Sequence, residues 1–130
     1  MSKILSIDYG TKNIGLAMSD DEQKLAFSYK KLVISDQLSI IRDIKNVCQI
    51  ENVKRIVIGL PINLSGAKTA TTQAVLAFIT ELRKNLTIPI ETVDERLSTV
   101  QAYKIGANKK SADEVSAQIL LQGWLDKSNQ

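Results

Sequence analysis

Asp8 closes an apolar run, Lys3-Ile4-Leu5-Ser6-Ile7-Asp8, and Tyr9 and Gly10 follow it at once. A carboxylate carried to the end of a strand, where a glycine lets the backbone turn, is a fixed negative charge at a sheet edge. Two further acidic places could converge on it: Asp94-Glu95, after the apolar run over residues 88–93, and Asp113, at the start of a helix. Three converging carboxylates suit a hard divalent cation, Mg2+ or Mn2+, and with it phosphodiester hydrolysis. Each acid also has an ordinary structural explanation. Asp8 could belong to a plain hairpin, and Asp94 and Glu95 to a turn before the positive end of a helix. Asp113 could do no more than stabilise the first turn after Ser111. Glu114 fits that reciprocal capping role better, which leaves Asp113 available for chemistry.

The composition narrows the alternatives. There is no histidine, so nucleophile mechanisms that need an imidazole base and metal sites built on imidazole are both excluded. The single cysteine, Cys48, rules out an internal disulfide and a thiolate zinc cluster, and its place in a helical apolar pattern assigns it to the core. Net charge is +3, from 17 basic and 14 acidic residues. With Asp8, Asp94, Glu95 and Asp113 set aside, ten acids face those 17 bases, so a basic body surrounds an acidic centre. That distribution suits a polyanionic substrate, although a solvated surface would look the same. Candidate phosphate contacts are Lys12, Asn63, Lys68, Arg96, Lys104, Lys109 and Lys110, all close in sequence to an acid or to a strand end. Aromatic residues are too few for a base-stacking platform.

Elements that could position these groups follow from periodicity. Residues 3–8, 13–19 and 24–34 read as three strands of an antiparallel meander, with turns at Gly10-Thr11 and Asp20-Asp21. Ser35-Asp36 opens a helix carrying Leu38, Ile41, Ile44, Val47 and Cys48 inward, before a strongly apolar strand over residues 55–59. Pro61 stops that strand. A polar loop through Asn63, Ser65 and Gly66 leads to a second helix over residues 69–85, with Val75, Leu76, Ile79 and Leu82 inward, and then to the strand that reaches Asp94. Ser98 can cap a third helix ended by Gly106, and residues 107–110 form a basic loop. Ser111-Ala112-Asp113-Glu114 opens a last helix, apolar at Val115, Ile119, Leu120 and Trp124.

The order βββαβαβαα predicts an α/β fold with a five-stranded mixed sheet and helices on both faces. At 130 residues and 44% hydrophobic content the chain fits one domain over residues 1–126 with a loose tail over 127–130. No apolar run approaches the ~20 residues that span a bilayer, and no leader precedes the first strand, so a cytoplasmic protein without membrane contact is expected.

Four segments taken in order resemble the YqgF/RuvX family across essentially the whole chain. They are residues 7–17 (IDYGTKNIGLA), 58–61 (IGLP), 93–99 (VDERLST) and 113–125 (DEVSAQILLQGWL). The resemblance implies a ribonuclease H-like fold. It also implies a nuclease that matures the 5′ end of the small-subunit ribosomal RNA precursor, with a Holliday junction resolvase or a non-catalytic nucleic-acid-binding module as alternatives. By motif, Asp8, Glu95 and Asp113 match the family's acidic positions, and Asp94 is the adjacent candidate. One departure stands out: Asn13 occupies a place where the family usually has arginine. The partners implied are nucleic acid and ribosomal particles, and the implied assembly is a monomer or weak dimer. The acids would hold one or two Mg2+ or Mn2+ ions while water attacks phosphorus.

Overall fold

Alternating apolar residues in the first third of the chain become β1 (Lys3–Tyr9), β2 (Asn13–Ser19) and β3 (Ala26–Val33). They are followed by α1 (Gln37–Ile50), β4 (Val53–Leu60), α2 (Ala70–Asn85), β5 (Ile90–Asp94) and α3 (Ala112–Ser128). The structure is a computed structural model that describes residues 2–10, 12–60, 70–94 and 112–129, with residues 71, 94 and 112–114 placed by their backbone. The polar loop after Pro61, the helix expected over 98–106, the basic loop and Ser111 lie outside the described residues.

The five strands form one mixed sheet in the order β3-β2-β1-β4-β5. β1 pairs antiparallel with β2, and β2 with β3, as hairpin connections require. β1 pairs parallel with β4, and β4 with β5, through the crossovers that α1 and α2 supply. The strand that ends in Asp8 and Tyr9 is therefore the middle strand of the sheet, and β4 separates it from the strand that ends at Asp94.

Strand alternation divides the core in two. Leu5 and Ile7 of β1, with Ile14 and Leu16 of β2 and Ile56 and Ile58 of β4, pack under α1 and α2. Ile4, Ala17, Ala26 and Val57 point the other way and pack under Ala117, Leu120, Leu121 and Leu125 of α3. Fully burying each large aliphatic side chain contributes about 1.5–3 kcal/mol. Cys48 is part of the first cluster, and burial pushes its thiol up to about 11.

Asp36 caps α1: the Ser39 backbone N–H donates to Asp36 Oδ1 at 2.9 Å and the Ser39 hydroxyl to Oδ2 at 2.8 Å. Leu38 departs from expectation and is 76% exposed. At 3.6 residues per turn it lies roughly 120° round the helix from Ile44, and Ile40 takes the inward place instead. In α2, Phe78 joins Val75, Ile79 and Leu82 in the core, while Leu76 is only half-buried.

The inward face of α3 also differs from the one the sequence suggested. Ala117, Leu120, Leu121 and Leu125 are buried, whereas Val115, Ile119 and Trp124 are half-buried. Apolar residues surround this helix on several sides, so periodicity alone did not single out its sheet-facing stripe. The helix also includes Lys127 and Ser128, read from the sequence as a tail, and the Asn129 side-chain amide donates to Gln23 O at 2.9 Å.

Candidate active site

Asp8 stands on the α3 face of the sheet, because alternation along β1 places it with Ile4 and Ser6. It is 9% exposed, which makes it the one buried acid among the residues whose side chains the structure describes. Its neighbours in the sheet are Gly15 on β2 and, by the parallel register that pairs Ile7 with Ile58, Gly59 on β4. Gly59 in turn lies opposite Val93. Val93 packs with the α3-side cluster, so this row of β5 shares a face with Asp8.

α3 is fastened to that face by polar contacts that the sequence reading missed. The Ser6 hydroxyl donates to Ala117 O at 2.7 Å, and both groups are buried. The Gln122 side chain accepts from Ala26 N at 2.9 Å and donates to Lys24 O at 2.9 Å, while Gln118 donates to Ala26 O at 3.2 Å and accepts from the Ser28 hydroxyl at 3.1 Å. Two signals could have found them. A serine stands inside the apolar β1 run two residues before Asp8, and two glutamines are spaced i,i+4 on one helix.

These contacts fix the direction of the helix. Ala117 lies over Ser6, whereas Asn129 reaches Gln23, whose side chain donates to Ser2 O at 2.9 Å. α3 thus runs antiparallel to β1, and its first turn, which contains Asp113, lies toward the Asp8 end of the sheet. The backbone of Asp94 ends β5 opposite Leu60. Lys12 is exposed in the hairpin just beyond Asp8, with its carbonyl accepting from Ile34 N at 2.9 Å.

Glu95, Asn63, Lys68, Arg96, Lys104, Lys109 and Lys110 lie outside the described residues. Among the described residues no group of three or more acids or cysteines is placed to hold a metal ion. The donor chemistry nevertheless fits a hard cation. The buried side chain at the site is an oxygen donor, no histidine exists in the chain, and the one thiol is in the core cluster on the other face of the sheet.

A five-stranded mixed sheet of this order, with an acid ending its middle strand and a helix folded back over it, defines the RNase H-like class in its RuvC form. Solved structures bear out the fold. RuvC of T. thermophilus in complex with a Holliday junction substrate superposes with a TM-score of 0.65 at 12% identity, over 100% of this chain and 98% of that one. The Fowlpox virus resolvase superposes with a TM-score of 0.57 at 11% identity, over 98% and 99%. The chain belongs to the RuvX family, described as Holliday junction resolvase, whose pattern matches residues 2–127. A relative from Maridesulfovibrio salexigens named "Putative pre-16S rRNA nuclease" is 39% identical over 97% of this chain and 99% of its own length. One of the same name from Desulforamulus reducens is 36% identical over 95% and 96%. No helix among the described residues is long and apolar enough to cross a membrane.

Proposed function

We propose that the chain is a divalent-metal-dependent endonuclease that cuts the precursor of 16S ribosomal RNA at its 5′ end during ribosome biogenesis. The observation that carries the reading is the position of Asp8. A nearly buried carboxylate ends the middle strand, on the face over which α3 brings its first turn. The similarity of the named relatives over almost their full length supports the substrate class.

In this reading Asp8, Glu95 and Asp113 hold Mg2+ or Mn2+, with Asp94 as the alternative to Glu95. Val93 shares the face of Asp8, and a strand returns to one face every second residue, which favours position 95 over 94. When bound, the cation would supply a lowered pKa for the attacking water and charge stabilisation on the phosphate oxygens. Asp8 contributes a carboxylate on a backbone fixed by sheet pairing, so little backbone reorganisation is needed at the moment of reaction. Lys12, Arg96, Lys68, Lys104, Lys109 and Lys110 attract and hold the phosphate backbone, with Asn63 as a neutral contact. Activity on ribosomal particles, in the cytoplasm, as a monomer or weak dimer belongs to the same proposal.

The test is cleavage of labelled 16S precursor RNA and four-way junction DNA, side by side, with Mg2+, with Mn2+ and with chelator. Cleavage of the RNA with either metal is expected. Asp8→Asn should retain RNA affinity and lose cleavage by about a hundredfold or more, the scale of a group that holds a catalytic metal. Undiminished cleavage by that variant would refute the mechanism. The family's description keeps a second substrate in view: preferential cutting of the junction, together with a dimer in solution, would move the assignment to DNA.

A further inference from the structure

We propose that the cleft at the end of the sheet farthest from Asp8 is a second nucleotide-binding site, one that takes a phosphate together with its ribose and base. The inference goes beyond the nuclease reading, because binding there needs neither Asp8 nor a metal ion. The cleft holds about 670 Å3 between the last turns of α1 and α2 and the starts of β4 and β5. That volume falls in the usual range for small-ligand sites, roughly 300–1,000 Å3. Val53, in its lining, begins β4, and Leu60 ends that strand beside Asp94. The rise of the strand sets the cleft about 23 Å from the Asp8 end. Val53 and Cys48 pack on the α1 side of the sheet, the face opposite to that of Asp8.

The charge of the lining is one-sided. Lys45 and Lys54 stand at its rim, and no acidic residue lines it among the described residues. Neither lysine makes an ion pair with the described residues. A shift in register brings Lys54 there: Lys3 pairs with Val53 but Ile4 with Arg55, so Lys54 is an extra residue in β4. Alternation counted back from Ile58 and Ile56 puts Lys54 on the α1 side. The bulge keeps Val53 on that side as well, so one residue adds to the floor and the next supplies a charge.

The rest of the lining selects against a bare anion. α1 and α2 both end at the cleft, and the carbonyls of a helix's last turn lack intrahelical partners. They disfavour a naked phosphate and accept hydrogen bonds from ribose hydroxyls or exocyclic amines. Gln49 and Asn52 add carboxamides, which both donate and accept and so suit the edge of a base. Val53, Leu86 and Ile88 give the base an apolar floor. That floor is fixed by the fold itself: Ile56 N donates to Pro89 O at 3.0 Å, and Leu86 N to Leu82 O at 2.9 Å. A nucleotide combines the negative charge, the donors, the hydrogen-bonding edge and the apolar ring face that this lining matches. Two sources offer that chemistry: a free mononucleotide, and one nucleotide of an RNA strand.

Binding is titrated in the presence of chelator with nucleoside monophosphates, with inorganic phosphate and with a single-stranded RNA oligonucleotide, following the methyl NMR signals of Val53, Leu86 and Ile88. A nucleotide is expected to shift these signals saturably. Lys45→Gln combined with Lys54→Gln should weaken that binding at least about tenfold, the scale of a lost charge-assisted contact. Both lysines are exposed, so the substitutions leave the core intact. Lys84→Gln is the control, because Lys84 is outside the lining and pairs with Glu81 at 3.1 Å, and it should bind as wild type does. Mononucleotide binding would assign the site to free nucleotides. RNA binding alone, with the same dependence on Lys45 and Lys54, would assign it to the strand. The proposal is overturned if these methyls shift with neither ligand, if phosphate alone binds as tightly as a nucleotide, or if Lys84→Gln causes an equal loss. No metal is present in the titration, so a failure of Asp8-dependent cleavage leaves its outcome untouched and the two readings fall separately.

Discussion

The buried hydroxyl of Ser6 and the carbonyl of Ala117, 2.7 Å apart and 111 positions distant in sequence, join the strand that ends in Asp8 to the helix that begins with Asp113. Ser6 precedes Asp8 by two residues on the same face, and Asp113 precedes Ala117 by about one helical turn. The bond therefore sets how far the two acids' backbones lie from each other along the sheet. In a carboxylate metal site such alignment matters more than the bond's own strength.

Ser6→Ala is expected to cost about 1 kcal/mol, the net contribution of one intramolecular hydrogen bond, measured by urea unfolding. Cleavage should fall by more than the lost stability explains, because the folded population stays near unity after so small a change. A variant with normal activity and the expected stability loss would show that α3 is held in place by Leu120, Leu121 and Leu125 without Ser6.

Glu95→Gln and Asp94→Asn separate the two neighbouring acids. With Val93 on the Asp8 face, the glutamate variant is expected to lose cleavage to about the extent of Asp8→Asn. The aspartate variant should stay within roughly tenfold of wild type, the lower range for a group beyond the metal's own ligands. Single-turnover rates at saturating metal make the comparison. The reverse order would assign the ligand to position 94 and imply that β5 bends before its acids.

Much of this architecture was legible in the sequence because its strands obey simple alternation. The residues of β1 divide cleanly between two cores, and Asp8 was identifiable as the acid at that strand's end. The strand order could be anticipated from the βββαβαβ sequence, since hairpins give antiparallel neighbours and helical crossovers give parallel ones. Three features were not legible, each for a physical reason. An extra residue in β3 at Tyr29 reverses the facing of Lys30 and Lys31, and nothing in the local composition marks it. The sheet-facing stripe of α3 was hidden by apolar residues on its other sides. Leu38 looked inward because it falls three residues before Ile41, yet it lies past the edge of the buried face.

The response to pH follows from three depressed carboxylates and from a raised amine, thiol and phenol, Lys3, Cys48 and Tyr29. Glu51 is held below the ordinary carboxylate range chiefly by the hydrogen bond from the Lys3 ammonium at 2.9 Å. Asp36 is held low chiefly by the Ser39 backbone N–H, and Asp20 by that of Lys24. Groups whose folded pKa is depressed stabilise the protein above their unfolded value and lose that contribution as pH falls through the folded one. Lys3 is raised, chiefly by its bond to Glu51, so its contribution is complete below the ordinary lysine value and fades as pH climbs through the folded one. With no histidine in the chain, the urea midpoint should be flat between about pH 6 and pH 8, decline below about pH 4, and decline again above about pH 8.5, where the unfolded chain ionises the Cys48 thiol that burial keeps protonated in the fold. Glu51→Gln should flatten both ends of the profile, because it removes the partner that shifts Lys3 as well as the acid itself.

Metal binding should be visible in stability before any substrate is added. A ligand that binds only the folded state stabilises it by an amount set by its concentration relative to Kd, about 2.7 kcal/mol at a hundredfold excess. Mg2+ or Mn2+ should therefore raise the melting temperature of the wild-type protein, and Ca2+ should do so with weaker support for cleavage, since its looser coordination aligns oxygens less strictly. Zn2+ has no histidine and no accessible thiolate to favour it here. Asp8→Asn should abolish the Mg2+ shift. A shift that persists in Asp8→Asn would locate the cation elsewhere on the protein and detach it from the strand end on which the catalytic reading depends.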